Sequence, residues 1–115
     1  MRRGDICLTD LDPVRGSEAS QRRPAVVVSN DRANLAAERS GGGVITIVPV
    51  TSNVARVFPF QTLLPAGVTG LRVDSKAQAE QVRSVSVERL GPVVATVPAP
   101  LMLELDDALR LHLQL

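Results

Sequence analysis

The sequence predicts a small, mainly β protein with one C-terminal helix: a partly open barrel of short strands against which the helix packs. Two observations lead to this fold class. Short runs rich in Val, Ile, Leu and Thr recur along the chain between Gly, Pro, Asn and Asp, which is typical of strands joined by turns. Only residues 101–113 repeat their apolar side chains at clear helical spacing. Many short strands closed by one helix favour a small barrel.

The predicted strands follow the apolar runs. Pro24 suits the start of the second strand, because proline fixes its own φ and has no N–H to donate. Asn30 and Asp31 predict the cap of a short helix ending near Glu38, since their side chains accept hydrogen bonds from the free N–H groups of a first turn. The segment 82–88 is predicted to be a link with a short helical turn. The predicted strands are residues 6–11, 25–29, 44–51, 60–64, 75–81 and 90–97.

The C-terminal helix is predicted to be amphipathic. Its apolar stripe faces the barrel, and its acidic side faces solvent. The stripe consists of Leu101, Leu105, Ala108, Leu109, His112 and Leu113, and the solvent side carries Glu104, Asp106, Asp107 and Arg110.

Length and composition limit the class of protein. With 115 residues, 44% of them hydrophobic, we expect one domain, residues 1–115, with a real core. No apolar run approaches the roughly 20 residues that span a bilayer, and no signal-like apolar region follows the basic start, so a cytoplasmic protein without a membrane segment is expected. One cysteine, Cys7, and one histidine, His112, argue against a disulfide framework and a Cys/His metal site. No metal or cofactor is therefore predicted.

The charge of the chain does not by itself identify a partner. The formal net charge is only +1, so no overall basic field indicates nucleic-acid binding. Of the 13 basic residues, all but Lys76 are arginine. Arginine binds phosphate oxygens well because of its forked donors, but a coding bias toward arginine gives the same count. Only the positions of the arginines can decide between phosphate binding and coding bias.

Polar residues lie at the boundaries of three predicted strands. Arg23 opens the second strand, Thr51 closes the third, and Glu80 with Gln81 closes the fifth. Ends of different strands can meet at one rim of a small β fold, and such rims often carry function. Each position also has an ordinary interpretation, as a solvated strand end or as β propensity. Periodicity alone leaves both interpretations open.

Three stretches together resemble the MazF/PemK toxin family in order and spacing. They are RRGDICLTDLDPVRGSEASQRRPAVVVSND, ITIVPVTSN, and AEQVRSV with ERL behind it. The similarity covers nearly the whole chain, from Arg3 to the C-terminal helix. It implies an SH3-like barrel of the CcdB/MazF type, a homodimer, and a metal-independent, sequence-specific endoribonuclease. Such a toxin cleaves single-stranded RNA and is silenced by a cognate, MazE-like antitoxin.

The resemblance also implies the site residues. By position, the family's catalytic arginine falls on Arg23 and its catalytic hydroxyl on Thr51. An acidic residue used by some relatives falls on Glu80, whereas the arginine that those relatives carry two residues earlier is replaced here by Gln78. The residues implied to bind RNA are Arg15, Ser17, Glu18, Arg22, Ser52, Asn53 and Gln81.

These residues suit RNA cleavage by the substrate's own 2′-hydroxyl, which needs no protein nucleophile. A guanidinium held at the strand entry makes two charge-assisted hydrogen bonds to phosphoryl oxygens, and Thr51 adds a third donor. The general base stays open between Glu80 and a reaction that depends mainly on electrostatics, since arginine remains protonated. Alternation predicts that Arg22 and Arg23 face different sides of the backbone, and the resemblance implies that Arg23 is the one toward the phosphate.

Two other functions are considered. The CcdB toxins share the implied fold and bind DNA gyrase without cutting anything, so a non-catalytic gyrase poison is the main alternative. A bare SH3-like interaction module would leave Arg23 on a solvated rim. The combination of Arg23 with Thr51 favours the nuclease, because a gyrase binder has no need of that pair.

Overall fold

The computed structural model describes residues 1–11 and 22–115, and in this part of the chain seven strands form one antiparallel, open sheet. This confirms the predicted class, a mainly β fold with a C-terminal helix. The strands are β1 (Asp5–Asp10), β2 (Arg22–Val27), β3 (Val44–Thr51), β4 (Gln61–Leu64), β5 (Ser75–Gln78), β6 (Arg83–Ser86) and β7 (Leu90–Thr96). The helices are α1 (Asp31–Ser40), α2 (Ala66–Thr69) and α3 (Ala99–Leu113), with 3-10 turns at Ala79–Gln81 and Val87–Arg89.

The central strand of the sheet is β3. One edge of β3 pairs with β2, and its other edge pairs first with β6 and then, near Thr51, with β5. Along the main path the strand order is β4-β5-β3-β2-β1-β7, so β4 and β7 are the outer strands. Because β3 is shared by three partners, the ends of β2, β3 and β5 lie close to one another.

The core consists of two clusters on opposite faces of the sheet. Met102, Leu105 and Ala108 of α3 cover the first cluster, and Ala37 of α1 contributes to the second. Consecutive residues of β2 supply both clusters, with Val26 in the first and its neighbours in the second, since successive side chains of a strand point to opposite faces. Both faces being covered explains why the apolar run of β2 is continuous rather than alternating.

Helix α1 begins and ends as its sequence signals suggest. The Asn30 side chain accepts the N–H of Ala33 at 2.8 Å, which confirms the predicted cap. The helix continues to Ser40, two residues beyond the predicted end at Glu38, because the residue that allows the chain to turn is Gly41, with φ of 71°.

Arg3 ties the N-terminal segment to both helical layers. Its Nε donates to the carbonyl of Val28 at 2.8 Å, and its Nη2 donates to the Asp106 carboxylate of α3 at 2.5 Å. The backbone N–H of Arg3 also donates to Asp31, and this bond lowers the pKa of that carboxyl. Asp106 is therefore half-buried, rather than on the solvent side as predicted.

The predicted stripe of α3 is confirmed at Leu101, Leu105, Ala108 and Leu109, which are buried or pack against the core, and is wrong at its C-terminal end. Met102, outside the predicted stripe, is buried with Leu105 and Ala108, whereas His112 and Leu113 are exposed. No residue beyond Ala108 in this helix is buried, so the apolar residues of the last turn do not form part of the core. None of the helices in the described ranges is long and apolar enough to cross a membrane.

Three strand predictions need correction. The strand predicted over 75–81 ends at Gln78, where the chain turns into the 3-10 helix Ala79–Gln81. β2 begins at Arg22, because Arg22 and Arg23 pair with Asp10 and Thr9 of β1, and the ladder thus extends beyond the proline. The segment predicted as a link, 82–88, contains β6, which pairs with the first half of β3. This strand is short and buries only Val85, so it shows little hydrophobic periodicity.

Candidate active site

A cleft of about 500 Å³ opens where β2 begins and β3 ends. The two strands are antiparallel neighbours, and their last pair here joins Ala25 to Pro49. Two residues further along each strand, the same register leads to Arg23 and Thr51, both of which line the cleft. The remaining lining residues are Leu8, Arg22, Pro24, Val50, Ser52, Gly70, Leu71, Arg72, Val73, Ser75 and Val94.

Among the described residues, three arginines line this cleft. Arg22 and Arg23 come from β2, and Arg72 comes from the segment between α2 and β5. Within the described ranges, none of the three side chains has an ion pair or a hydrogen bond, and no lining residue is acidic. Unpaired positive charges converging on a partly enclosed space attract anions, above all phosphates.

The Thr51 hydroxyl is held by the segment that follows β3. Its Oγ1 accepts the N–H of Asn53 at 3.2 Å, and the Asn53 Oδ1 accepts the N–H of Ala55 at 3.3 Å. A hydroxyl that accepts one hydrogen bond still has its own proton to donate. Thr51 is therefore oriented and remains able to donate to a group in the cleft. Asn53 is not among the lining residues, so its contact with the cleft passes through Thr51.

Glu80 and Gln81 lie in the 3-10 turn after β5 and are not among the lining residues of the cleft. The Glu80 carboxylate accepts from the side-chain amide of Gln61 at 2.7 Å. Gln78, the position at which some relatives carry an arginine, pairs with Gln61 between β5 and β4 and does not line the cleft either. The structure thus brings together Arg22, Arg23, Thr51 and Ser52 from the predicted set, without Glu80, Gln81 or Asn53.

The first loop carries the other predicted contacts. Arg15, Ser17 and Glu18 lie outside the described residues. Arg22 and Arg23 both line the cleft, so Arg23 is not the only one of the two that borders it, and the opposite directions expected of their side chains stay a prediction. Arg22 is exposed at the first residue of β2, where a long side chain reaches past the strand edge, and it also borders a second hollow beside Glu88.

Arg72 lines the cleft although it was not among the residues predicted from the sequence. It follows Gly70, the left-handed residue with φ of 88° that ends α2, and it returns the chain toward β5. No motif surrounds it, and in the sequence it is one isolated arginine in a turn. Its approach to Arg23 depends on the pairing of β5 with β3, which only the fold shows.

The one cysteine and the two phenylalanines of the chain are engaged in packing contacts. Cys7 is buried, and burial raises the pKa of its thiol, which keeps the thiol neutral and poorly nucleophilic. Phe58 and Phe60, the two aromatic residues of the chain, stack on each other with centroids 5.2 Å apart. The Arg56 guanidinium lies 4.7 Å from the centroid of Phe58. Phe58 is therefore in contact with two neighbours already.

Comparison with known proteins agrees with the resemblance read from the motifs. Residues 2–113 match the model of the family described as PemK-like, MazF-like toxin of type II toxin-antitoxin system. Over its whole length the chain is 64% identical to Endoribonuclease MazF9 of Mycobacterium tuberculosis, of which it covers 98%.

Solved structures show the same fold. MazF (Form-I) from Deinococcus radiodurans has a TM-score of 0.80 at 29% identity, with 100% of this chain and 97% of that chain covered. MazE-MazF (Form-II) from the same organism gives 0.72 at 26% identity, covering 98% and 94%. On the family match and the identity to MazF9, this chain belongs to the PemK-like, MazF-like toxins of type II toxin–antitoxin systems.

Proposed function

We propose that this chain is an endoribonuclease that cleaves single-stranded RNA in the cytoplasm, as the toxin of a toxin–antitoxin pair. One observation carries the proposal: Arg23 and Thr51 end neighbouring strands at one cleft, which also holds two more arginines and no carboxylate within the described ranges. Such a cleft suits a nucleic acid, because the backbone of that polymer is a chain of negatively charged phosphates. The name of the 64% identical relative, an endoribonuclease, supports the same reaction here.

In the proposed reaction the substrate attacks itself. The ribose 2′-oxygen forms a bond to phosphorus and the bond from phosphorus to the 5′-oxygen breaks, so the products carry a 2′,3′-cyclic phosphate and a 5′-hydroxyl. One proton leaves the 2′-hydroxyl, and one reaches the departing 5′-oxygen. Arg23 donates two N–H groups to the non-bridging oxygens, where negative charge develops, and Thr51 donates its hydroxyl proton.

The proposal gives Arg23 and Glu80 different roles. Arginine stays protonated in proteins, so Arg23 stabilises charge and does not remove the proton. The Glu80 carboxylate is bonded to Gln61 away from the cleft lining, so we assign it to holding the start of β4 rather than to proton transfer. Ser52, which lines the cleft beside Thr51, remains a proposed RNA contact, as does Gln81.

The direct test uses purified protein and a long RNA in EDTA, with the new ends mapped by primer extension. Cleavage at sites that share a short sequence supports the nuclease, and an Arg23→Ala preparation purified in the same way controls for contaminating ribonucleases. Intact RNA beside inhibited DNA gyrase would support the CcdB-like alternative instead.

Arg72→Ala is expected to weaken RNA binding more than it slows cleavage of bound RNA. Losing one phosphate contact to a single strand should reduce the slope of log affinity against log salt by about 0.7. The measurement is the dissociation constant for an uncleavable RNA over a range of salt concentrations. Arg110→Ala is the matched control, because Arg110 is exposed on α3 and pairs with Asp107 at 3.0 Å. Equal slopes for the two variants would contradict the role given to Arg72.

We further propose a homodimer joined at the outer strand β7. Val93 and Val94 of this strand are 49% and 46% exposed, and Val94 also lines the cleft, so a second copy at β7 would extend the groove for RNA. Unpaired edges with exposed apolar residues favour association. Sedimentation should show a dimer at micromolar concentration and a shift toward monomer in Val93→Glu. A monomeric wild-type protein would refute this assembly.

The partner of the toxin is proposed to be an antitoxin of the MazE kind. The MazE-MazF structure from Deinococcus radiodurans, which this chain resembles at 26% identity, supports that pairing. An acidic or apolar tail suits the cleft, since its charged lining is basic and its remaining residues are largely apolar. Such a tail would compete with RNA for Arg22, Arg23 and Arg72.

A further inference from the structure

Residues 52–60 join β3 to β4 by passing over β5, which lies between those two strands in the sheet. Lys76 is the residue of β5 at the centre of this crossing. It pairs with Thr51 of β3 on one side and with Leu63 of β4 on the other. The segment that follows the candidate catalytic threonine therefore runs directly past the single lysine of the chain.

Lys76 is a buried residue, and its ammonium holds this segment. The side chain is among the buried polar groups, at 7% exposure, and its Nζ donates to the carbonyl oxygen of Arg56 at 2.6 Å. The same Nζ lies 5.9 Å from the centroid of the Phe58 ring. Within residues 1–11 and 22–115 it has no carboxylate partner. Burying an ammonium is costly, and an apolar side chain would fill the same space without that cost. The hydrogen bond to the crossing segment is thus what distinguishes Lys76 from a packing residue.

The far end of the segment is fixed independently. Phe58 stacks on Phe60, and the Phe58 N–H donates to the Gln61 side chain at 3.1 Å. Gln61 in turn donates to Glu80, which anchors it to the turn after β5. Lys76 therefore holds the middle of a segment whose later residues are already attached to β4 and β5.

The near end of the segment acts on Thr51. Asn53 donates its backbone N–H to the Thr51 hydroxyl oxygen, and its side chain accepts from Ala55, the residue before Arg56. Hydrogen bonds and one peptide link thus lead from Lys76 Nζ, through Arg56, Ala55 and Asn53, to the hydroxyl of Thr51, a residue that lines the cleft. Ala55 and Asn53 are exposed, so this part of the segment has few other contacts to hold it.

We propose that Lys76 is a positioning residue for Thr51. By holding the Arg56 carbonyl it keeps residues 52–56 in the conformation in which the Asn53 N–H orients the Thr51 hydroxyl toward the cleft. This inference rests on the proposed function, because it assigns Lys76 a part in RNA cleavage. It differs from a purely structural role in one measurable way: the effect of Lys76 on the rate passes through Thr51.

The test is a double-mutant cycle of Lys76→Met and Thr51→Val, measured as single-turnover cleavage with enzyme in excess. Lys76→Met alone should lower the rate about 10-fold to 100-fold, the range expected when a reacting group is displaced by about 1 Å. Binding of an uncleavable RNA should change less than about twofold, since the phosphate-binding arginines are untouched. In the Thr51→Val background the same substitution should cost less than about twofold, because there is no hydroxyl left to orient.

The outcomes separate this inference from the proposed function. Absence of cleavage by the wild-type protein would overturn both. Cleavage by the wild type with equal losses from Lys76→Met in the two backgrounds would overturn the positioning role alone, and so would a Lys76→Met variant that cuts at the wild-type rate. Thermal melts verify that each variant is folded at the assay temperature. If Lys76→Met does not fold, Lys76→Gln, whose polar end is too short to reach the Arg56 carbonyl, takes its place under the same criteria.

Discussion

Arg23→Ala is expected to lower the rate of RNA cleavage by about 100-fold or more while the protein remains folded. Removing one preorganised donor from a developing oxyanion typically costs about 10²–10³ in rate. In the proposed reaction Arg23 supplies such a donor from β2, a strand paired on both sides, and its guanidinium has no protein partner in the described ranges. Its loss therefore removes catalytic charge without breaking a native hydrogen bond or ion pair.

The neighbouring arginine provides the comparison. Arg22→Ala removes the same positive charge one residue away, from an exposed side chain at the strand end. It should weaken RNA binding and reduce its salt dependence, and it should leave single-turnover cleavage of saturating RNA within a few fold of the wild type. Arg23→Lys, which keeps the charge but loses the fork, should remain well below the wild type. Melting temperatures are measured beside the rates. Cleavage by Arg23→Ala at near the wild-type rate, or Arg22→Ala as the inactive variant, would show that the site is assigned to the wrong arginine.

The sequence predicted the centre of the site because two strong local signals meet there. Proline and a continuous valine run define β2, and an apolar run ending in threonine defines β3. The observed register places Arg23 and Thr51 at the same end of neighbouring antiparallel strands. Strand ends are set by local sequence signals. That Arg23 and Thr51 belong to one site was indicated by the resemblance to the family and by no local signal.

The walls of the cleft could not be predicted in this way. Arg72 lines the same cleft as Arg23 because β5 pairs with the end of β3, and strand pairing is a long-range property that single residues do not reveal. Glu80 shows the converse: it closes a predicted strand, but the chain turns into a 3-10 helix there and its carboxylate bonds to Gln61. A polar residue at a strand end is thus only a candidate site residue, because the fold decides which way its side chain points.

The role of Lys76 is hidden in the sequence for a related reason. A lysine in a short strand is ordinarily a solvated residue, and no local pattern shows that a connecting segment crosses above it. The burial of Lys76 follows from the order β4-β5-β3, which makes β5 an inner strand that the segment 52–60 crosses. The C-terminal helix was mispredicted for the opposite reason: the residues of its last turn are largely apolar, which suggests burial, but they are exposed.

Replacing the 2′-hydroxyl by hydrogen at the cleaved nucleotide is expected to abolish cutting at that position. In the proposed reaction this oxygen is the nucleophile, so its removal leaves Arg23 and Thr51 with no attacking group to assist. RNA binding should be unchanged within about twofold, because the phosphates that Arg22, Arg23 and Arg72 are proposed to contact are still present. The natural RNA should be cut equally well in EDTA, since the nucleophile comes from the substrate.

The products allow an independent check of the same mechanism. Self-attack leaves a 2′,3′-cyclic phosphate on the upstream fragment and a free 5′-hydroxyl on the downstream one, so a polynucleotide kinase should label the new 5′ end without prior phosphatase treatment. Attack by water from the other direction would leave a 5′-phosphate and would proceed on the deoxy-substituted strand. Cutting of that strand, or a strict requirement for a divalent metal, would therefore rule out the assignment of Arg23 and Thr51 to stabilising an internal 2′-oxygen attack. A kinase-labelled end that appears only with the intact ribose would instead show that the nucleophile is the 2′-hydroxyl of the substrate. The basic cleft then has to supply no nucleophile of its own.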